Sequence, residues 1–246
     1  MNRIENIDYI LGVLMREQDV HTAMPGTLKE KQRLMRALMN TRPPWPATDE
    51  FLAAQDRELQ MQLEEKGVVE LGPEATLWQG DITRLRVDAI VNAANGQMLG
   101  CWQPLHACID NCIHSAAGIQ LREECHRLMQ GSELPTGEAR ITGAYNLPCR
   151  HVIHTLGPIV PDGRPTPAQR EQLADCYRNC LRLAEANGCR SIAFCCISTG
   201  VFGYPNRAAA DVAVDTVRDC GSAIHVVFNV FKDIDHDIYR ELLHLD

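Results

Sequence analysis

The chain has 246 residues, of which 45% are apolar and 23% are charged, a composition typical of a globular protein with a sizeable core. Its 24 basic and 32 acidic residues give a formal net charge of −8, which argues against sequence-independent binding to nucleic acid. Residues 1–8 are too charged for a secretory signal, and no apolar run approaches the roughly 20 residues that span a bilayer. We therefore expect a cytoplasmic protein with neither a membrane nor a nucleic acid as partner.

Residues 1–72 are predicted to form a helical extension. Proline at Pro43 and Pro44 ends one of its helices, and Thr48 has the residue type that caps the start of another. Three short helices bury too little surface to be stable alone, so we expect them to pack on the rest of the chain. Helical patterns of apolar residues cover 7–14, 28–39 and 51–65.

Residues 73–246 are predicted to form the main domain, because strand-like and helix-like runs alternate there. Such alternation is typical of a layered α/β domain whose central strands are buried on both faces. The predicted strands span 75–79, 89–92, 139–142, 151–154, 191–196 and 225–230. The predicted helices span 104–129, 166–187, 206–219 and 233–243.

A cluster of Cys101, His106 and Cys108 has the residue types of a zinc site. Thiolate and imidazole ligands suit Zn²⁺, and three protein ligands leave one position open for water or substrate. Pro104 is predicted to begin a helix, in which His106 and Cys108 would not share one face, so binding by both requires a distorted segment. Chance clustering in a chain with 11 cysteines is the alternative, and spacing alone leaves both open. Cys112 is a further candidate ligand.

A second candidate site runs from Ser198 to Tyr204, between a predicted strand and a predicted helix. Gly200 and Gly203 allow backbone amides to approach a phosphate, and a helix N-terminus adds partial positive charge. Phe202 or Tyr204 offers a ring that can pack on a ribose or a base. An ordinary tight turn has the same residues, and the motif alone leaves both interpretations open.

Two aspartates stand next to these candidate sites. Asp81 follows a predicted strand, and Asp110 lies two residues after Cys108. Either residue can be an ordinary capping or surface aspartate. A metal near Asp110 would keep its carboxylate ionised, which suits a base or a group that positions the substrate. His114 and His154 lie in apolar contexts and are expected to be core residues.

Five motifs occur in a fixed order in the second part of the chain: Gly80–Thr83, Val91–Asn95, Ile113–Gly118, Val152–Pro158 and Ile197–Pro205. Together they resemble a macrodomain, the α/β module that binds ADP-ribose. The resemblance implies a three-layer α/β/α sandwich with a mixed central sheet over 73–246. Where ordinary hydrolytic macrodomains have a glycine run, this chain has Gly100–Cys108. With the helical extension, that variant resembles the microbial zinc-containing macrodomains, which are protein-ADP-ribose hydrolases.

Carried over position by position, the resemblance implies one zinc ion held by Cys101, His106 and Cys108, close to the distal ribose. Asp110 aligns with the aspartate that positions water or substrate, although Asn111 replaces the glycine that normally follows. The implied ADP-ribose contacts are Asp81 and Ile82 at the adenine, Asn92 and Asn95 at the distal ribose, and Ser198, Thr199, Gly200, Val201, Phe202, Gly203 and Tyr204 at the diphosphate.

The implied function is zinc-dependent removal of ADP-ribose from mono-ADP-ribosylated protein side chains, by hydrolysis at C1 of the distal ribose. In some bacteria the related enzymes are encoded beside a transferase that modifies a lipoylated carrier protein. Two alternatives stay open: a non-catalytic reader of ADP-ribose with a structural, four-ligand zinc, and a hydrolase of O-acetyl-ADP-ribose. The helical extension is expected to be a structural buttress, with a substrate-docking surface as its alternative.

Overall fold

The computed structural model describes residues 2–245, which form eight α-helices and six β-strands. The helices are α1 (Arg3–Glu17), α2 (Leu28–Thr41), α3 (Asp49–Lys66), α4 (Ile109–Ala117), α5 (Ile119–Met129), α6 (Pro167–Ala186), α7 (Asn206–Cys220) and α8 (Asp233–Leu242). The strands are β1 (Leu77–Gln79), β2 (Ala89–Ala93), β3 (Ala139–Gly143), β4 (His151–Thr155), β5 (Ser191–Phe194) and β6 (His225–Val230). Between residues 2 and 245, no helix is both long enough and apolar enough to cross a membrane.

The six strands form one mixed sheet in the order β1-β6-β5-β2-β4-β3. Neighbouring strands are parallel except at one edge, where β3 runs antiparallel to β4. Ile90 in β2 and Ile192 in β5 are completely buried, as expected for central strands covered on both faces. The predicted mixed sheet is confirmed.

Helices cover both faces of the sheet, as the predicted three-layer sandwich requires. One group is α4 and α5, which pack against β2 and β3. In the other group, α7 packs between α6 and α8, while α6 packs on β3 and β4 and α8 packs on β1 and β6. Because five strands are parallel, their carboxyl ends meet at one edge of the sheet, where ligands bind in open α/β folds. The residues that follow these strands, including Asp81, Asn95 and Ser198, therefore face one cleft.

The single helix predicted over 104–129 is wrong. Residues between Cys101 and Cys108 form a loop, and α4 begins at Ile109 with Cys108 as its N-cap. Leu105 has a φ of +60°, which is incompatible with a right-handed helix. Gly118 separates α4 from α5 with a φ of +99°, in the region that favours glycine.

The N-terminal helices form a small bundle that packs on the main domain. Ile7, Ile10 and Leu11 are fully buried in its core, which also takes up Ile119 from α5. Gln55 of α3, itself fully buried, accepts a hydrogen bond from the backbone N–H of Ile119 at 3.0 Å. Both α2 and α3 contact α4, so the extension lies directly behind the helix that carries Asp110.

Candidate active site and metal centre

The loop before α4 brings Cys101, His106 and Cys108 together. Their ligand atoms all lie within 4.8 Å of one another, and the Sγ of Cys101 is 3.5 Å from the Nδ1 of His106. Sulfur at ~2.3 Å and nitrogen at ~2.0 Å from a tetrahedral zinc would be about 3.5 Å apart. The three side chains therefore fit a zinc ion in both chemistry and spacing.

Cys108 has a second role as the N-cap of α4. Its Sγ accepts a hydrogen bond from the backbone N–H of Asn111 at 3.4 Å. Burial raises the pKa of the Cys108 thiol to about 12, so a metal ion must displace its proton on binding. The positive end of the helix dipole favours the thiolate that would result.

Cys112 points away from this cluster. Its half-buried sulfur lies 3.7 Å from the Nη2 of Arg36 on α2. Among residues 2–245, only Cys101, His106 and Cys108 form the metal-binding group at this loop. A tetrahedral metal ion held by these three side chains would therefore need one further ligand.

Asp110 lies beside the cluster, and both of its carboxylate oxygens are held by asparagines from the end of β2. Its Oδ1 accepts from the Nδ2 of Asn92 at 2.8 Å, and its Oδ2 faces the Nδ2 of Asn95 at 3.4 Å. Asn92 is completely buried, so its side chain contacts Asp110 from behind rather than facing the cleft. We refer to residues 100–108, which carry the three candidate metal ligands, as the metal-binding loop. Asn95 is partly exposed and donates to the carbonyl of Gly100, so it links Asp110 to this loop.

Burial raises the pKa of the Asp110 carboxyl to about 6, while the hydrogen bond from Asn92 acts in the opposite direction. Asp110 is thus predominantly ionised at pH 7 and has a proton affinity suited to general-base chemistry near neutrality. His114 Nε2 lies 3.6 Å from Asp110 Oδ1. Burial lowers the pKa of His114 well below its usual value, so the imidazole is neutral and the two groups form no ion pair.

A buried chain of hydrogen bonds continues from Asn92 to His154. Because the Asn92 amide nitrogen donates, the Nδ1 of His154 at 3.1 Å must accept, which places the imidazole proton on Nε2. That nitrogen lies 3.0 Å from the hydroxyl of Thr142. Burial lowers the pKa of His154 to about 3, in agreement with a neutral ring. The expected core placement of both histidines is what the structure has.

The loop after β5 presents a row of free amide groups. Among the described residues, none accepts a hydrogen bond from the backbone N–H of Thr199, Gly200, Val201 or Phe202. The loop is closed by the N–H of Tyr204, which donates to the carbonyl of Ser198 at 3.0 Å. Successive backbone N–H groups without acceptors in a turn can bind phosphate oxygens. Val201 is 85% exposed, so this part of the loop is open to solvent.

The other end of the cleft carries Asp81 and an exposed aromatic ring. Asp81 Oδ1 accepts from the backbone N–H and hydroxyl of Thr83 at 3.0 and 2.6 Å, and its Oδ2 lies 3.6 Å from Lys66 Nζ. Ile82, the next residue, is buried. Phe231 follows β6, the neighbour of β1, and is 76% exposed. A carboxylate beside an exposed ring suits an amino-substituted base.

Phe231 is a functional candidate that the sequence analysis missed. The available signal was an aromatic residue placed directly after a predicted strand, at the same sheet edge as Asp81. Arg36 and Asn40 were also missed, because their contacts with the metal-binding loop join residues about 70 positions apart.

Comparison with known proteins assigns this fold and site to a family. The Macro domain family profile matches residues 91–213. These include Asn92 and Asn95, the metal-binding loop, and residues 198–204, which we call the diphosphate loop after the ligand group predicted for them. The chain belongs to the macrodomain family.

Individual relatives extend the match beyond that segment. The protein-ADP-ribose hydrolase of Treponema medium is 47% identical to this chain and aligns with 99% of it and 100% of its own length. The Oceanobacillus iheyensis macrodomain with ADP has a TM-score of 0.61 at 41% identity, over 68% of this chain and 88% of its own. The Trypanosoma brucei macrodomain in complex with ADP-ribose has a TM-score of 0.64 at 31% identity, over 85% of this chain and 94% of its own. The predicted family is confirmed.

Two glycines of the diphosphate loop provide a matched pair for testing its geometry. Gly203 has a φ of +70°, and a Cβ there would lie 2.7 Å from the carbonyl oxygen of Val160. Gly203→Ala should lower the free energy of unfolding by about 1–3 kcal/mol. Gly200 has open space around it, so Gly200→Ala should change that free energy by about 0.5 kcal/mol or less. Urea denaturation without ligand measures both; equal losses would contradict this loop conformation.

Neutral, buried His154 predicts a specific pH dependence of stability. The unfolded chain takes up its imidazole proton near pH 6.5, whereas the folded protein does so only near pH 3. Between these values the unfolded state binds more protons, so His154 lowers the unfolding free energy by about 1.4 kcal/mol for each unit of falling pH. The stability advantage of wild type over His154→Gln should therefore shrink as pH falls from 6.5 to 4. A constant difference in urea denaturation at each pH would contradict a neutral His154.

Proposed function

We propose that this protein is a zinc-dependent protein-ADP-ribose hydrolase, which cleaves the bond between C1 of the distal ribose and a modified side chain. The observation that carries the proposal is a three-ligand Cys101/His106/Cys108 cluster next to buried Asp110, whose carboxylate is held by the asparagines at the end of β2. The Treponema medium relative named protein-ADP-ribose hydrolase, similar over nearly the whole chain, supports the reaction class.

The cleft supports one orientation of ADP-ribose. Asp81 accepts a hydrogen bond from the exocyclic amine of adenine, and Phe231 stacks on the ring. The free amides of 199–202 bind the diphosphate in the centre of the cleft. The distal ribose then reaches Asn95 and Asp110, so its C1 lies near the metal-binding loop.

Asp110 acts on the water that attacks C1 of the distal ribose. Its carboxylate orients the water and accepts a proton as the new C1–O bond forms and the bond from C1 to the side chain breaks. The same proton then passes to the departing side chain, which balances the reaction. Asn92 and Asn95 hold the carboxylate in one orientation, and so reduce the entropy lost on reaching the transition state.

Zinc held by Cys101, His106 and Cys108 would supply Lewis acidity beside this carboxylate. An open fourth position is what a catalytic site needs, whereas a structural zinc is normally closed by four protein ligands. Since Cys112 faces Arg36 instead of the cluster, the geometry favours the hydrolase over a reader with structural zinc. A lipoylated carrier protein as the substrate and a cytoplasmic location stay predictions from the sequence.

Replacing the Asp110 carboxylate tests its role in turnover. Asp110→Asn should reduce kcat by about 10²- to 10⁴-fold, the usual contribution of a general base. The affinity for ADP-ribose should stay within about threefold, because the adenine and diphosphate contacts are elsewhere in the cleft. Release of ADP-ribose from modified protein gives the rate, and calorimetry gives the affinity. Asp215→Asn, an exposed change on α7, is the matched control, and near-normal turnover by Asp110→Asn would refute the assignment.

Metal removal tests the zinc requirement. A strong chelator should abolish release of ADP-ribose from modified protein, and one equivalent of Zn²⁺ should restore it. Cys108→Ser should lose both zinc and activity, whereas Cys220→Ser, at an exposed cysteine far along the sequence, should keep both. Full activity in metal-free protein would overturn the proposal. Measuring acetate release from O-acetyl-ADP-ribose in parallel separates the two hydrolase substrates.

A further inference from the structure

Two side chains of α2 reach from the N-terminal extension to the metal-binding loop; we refer to Arg36 and Asn40 as the α2 clamp. The Nη2 of Arg36 donates to the carbonyl of His106 at 2.9 Å. The Oδ1 of Asn40 accepts from the backbone N–H of Leu105 at 2.9 Å. Both bonds are made to backbone groups, so the clamp acts on the path of the loop itself.

A third bond to the loop depends on the same helix. The Nδ2 of Asn111 donates to the carbonyl of Gln103 at 2.9 Å, while its Oδ1 accepts from the Nη2 of Arg36 at 2.8 Å. Arg36 therefore orients the amide that binds Gln103. Among residues 2–245, no further side chain from outside 101–108 bonds to the backbone of 101–107.

The contact between α2 and α4 is built from two facing pairs at helical spacing. Arg36 meets Asn111, and four residues further along each helix Asn40 donates to the hydroxyl of Ser115 at 2.9 Å. Asn40 and Asn111 are 2% and 0% exposed, so these bonds form away from water, where hydrogen bonds are strongest. The Asn40 amide bonds to α4 with its nitrogen and to the loop with its oxygen, and the Asn111 amide bonds to the loop with its nitrogen and to Arg36 with its oxygen.

The clamp acts at a strained residue next to a metal ligand. Leu105 has a φ of +60°, a conformation that a leucine adopts only when its surroundings hold it there. Asn40 binds the N–H of Leu105, and Arg36 binds the carbonyl of the next residue, His106. The direction in which the His106 imidazole leaves the backbone is thus set from both sides by α2.

We infer that the N-terminal extension is part of the metal site, and that Arg36 and Asn40 are positioning residues that set the zinc affinity of Cys101, His106 and Cys108. This inference rests on the proposed function, because it presupposes that the loop binds zinc. Neither residue touches the ligand atoms; both act through the backbone that carries them. Replacing residues that hold metal ligands in place without touching the metal typically lowers metal affinity by about 10- to 100-fold.

The test measures zinc affinity directly, in full-length protein, by competition with a chromophoric chelator. Arg36→Met combined with Asn40→Leu removes every clamp bond while keeping apolar volume, and should raise the zinc dissociation constant about 10- to 100-fold. At limiting zinc, kcat should fall while KM changes less than about threefold, and saturating zinc should restore most of kcat. ADP-ribose affinity should stay within about threefold of wild type, since the diphosphate loop is untouched.

Controls separate positioning from general effects on the helix. Arg33 lies on the same helix, is exposed, and has no hydrogen-bond or ion-pair partner among the described residues. Arg33→Met should therefore leave zinc affinity unchanged. Asn40→Asp keeps an acceptor for the Leu105 N–H and should bind zinc more tightly than Asn40→Leu. If the double variant does not fold, Arg36→Lys carries the test: it keeps the charge but loses the guanidinium fork, and should weaken zinc binding about 3- to 10-fold.

The outcomes distinguish this inference from the function on which it rests. A folded double variant, or Arg36→Lys in its place, with wild-type zinc affinity would overturn the role of the clamp and leave the zinc hydrolase intact. An equal loss of affinity in Arg33→Met would likewise overturn it. Wild-type protein that binds no zinc would overturn the proposed function, and this inference with it.

Discussion

Burial of the Asp110 carboxylate at the start of α4 constrains the structure around it. A desolvated carboxylate is costly unless hydrogen-bond donors surround it, and here the donors are two asparagines, one inside β2 and one just beyond it. The first turn of α4 adds its positive dipole end. These hydrogen bonds fix the position of α4 relative to β2 and the turn that follows it. They also explain why two asparagines, Asn92 and Asn95, lie three residues apart at the end of this strand.

That constraint extends in two directions through polar contacts. On β4, the strand next to β2, neutral His154 accepts a hydrogen bond from Asn92 and so holds the amide that in turn holds Asp110. In front, Asn95 links Asp110 to the start of the metal-binding loop at Gly100, and α2 supports the far end of that loop. In the function we propose, the site at the distal ribose is therefore held by elements from both the sheet and the helical extension.

The sequence predicted the six strands, the mixed sheet and the family, because strand periodicity and the ordered motifs are local signals. It did not predict the loop at 101–108: the pattern around Pro104 suits a helix, and the positive φ of Leu105 is imposed by contacts with Asn40, distant in the chain. Asn92 was expected at the ribose from resemblance alone, whereas burial turns its side chain toward Asp110. The hydrogen-bond partner of a side-chain amide cannot be predicted from the sequence, because it depends on tertiary packing.

Zinc K-edge X-ray absorption on the wild-type protein tests the central claim, an open zinc site built by three residues of one loop. We expect one zinc per chain with two sulfur ligands at ~2.3 Å, one imidazole nitrogen at ~2.0 Å and a light-atom ligand from outside the chain. Three sulfur ligands would mean that Cys112 closes the site, and absence of bound zinc would mean that there is no zinc site; either result would contradict an open zinc site.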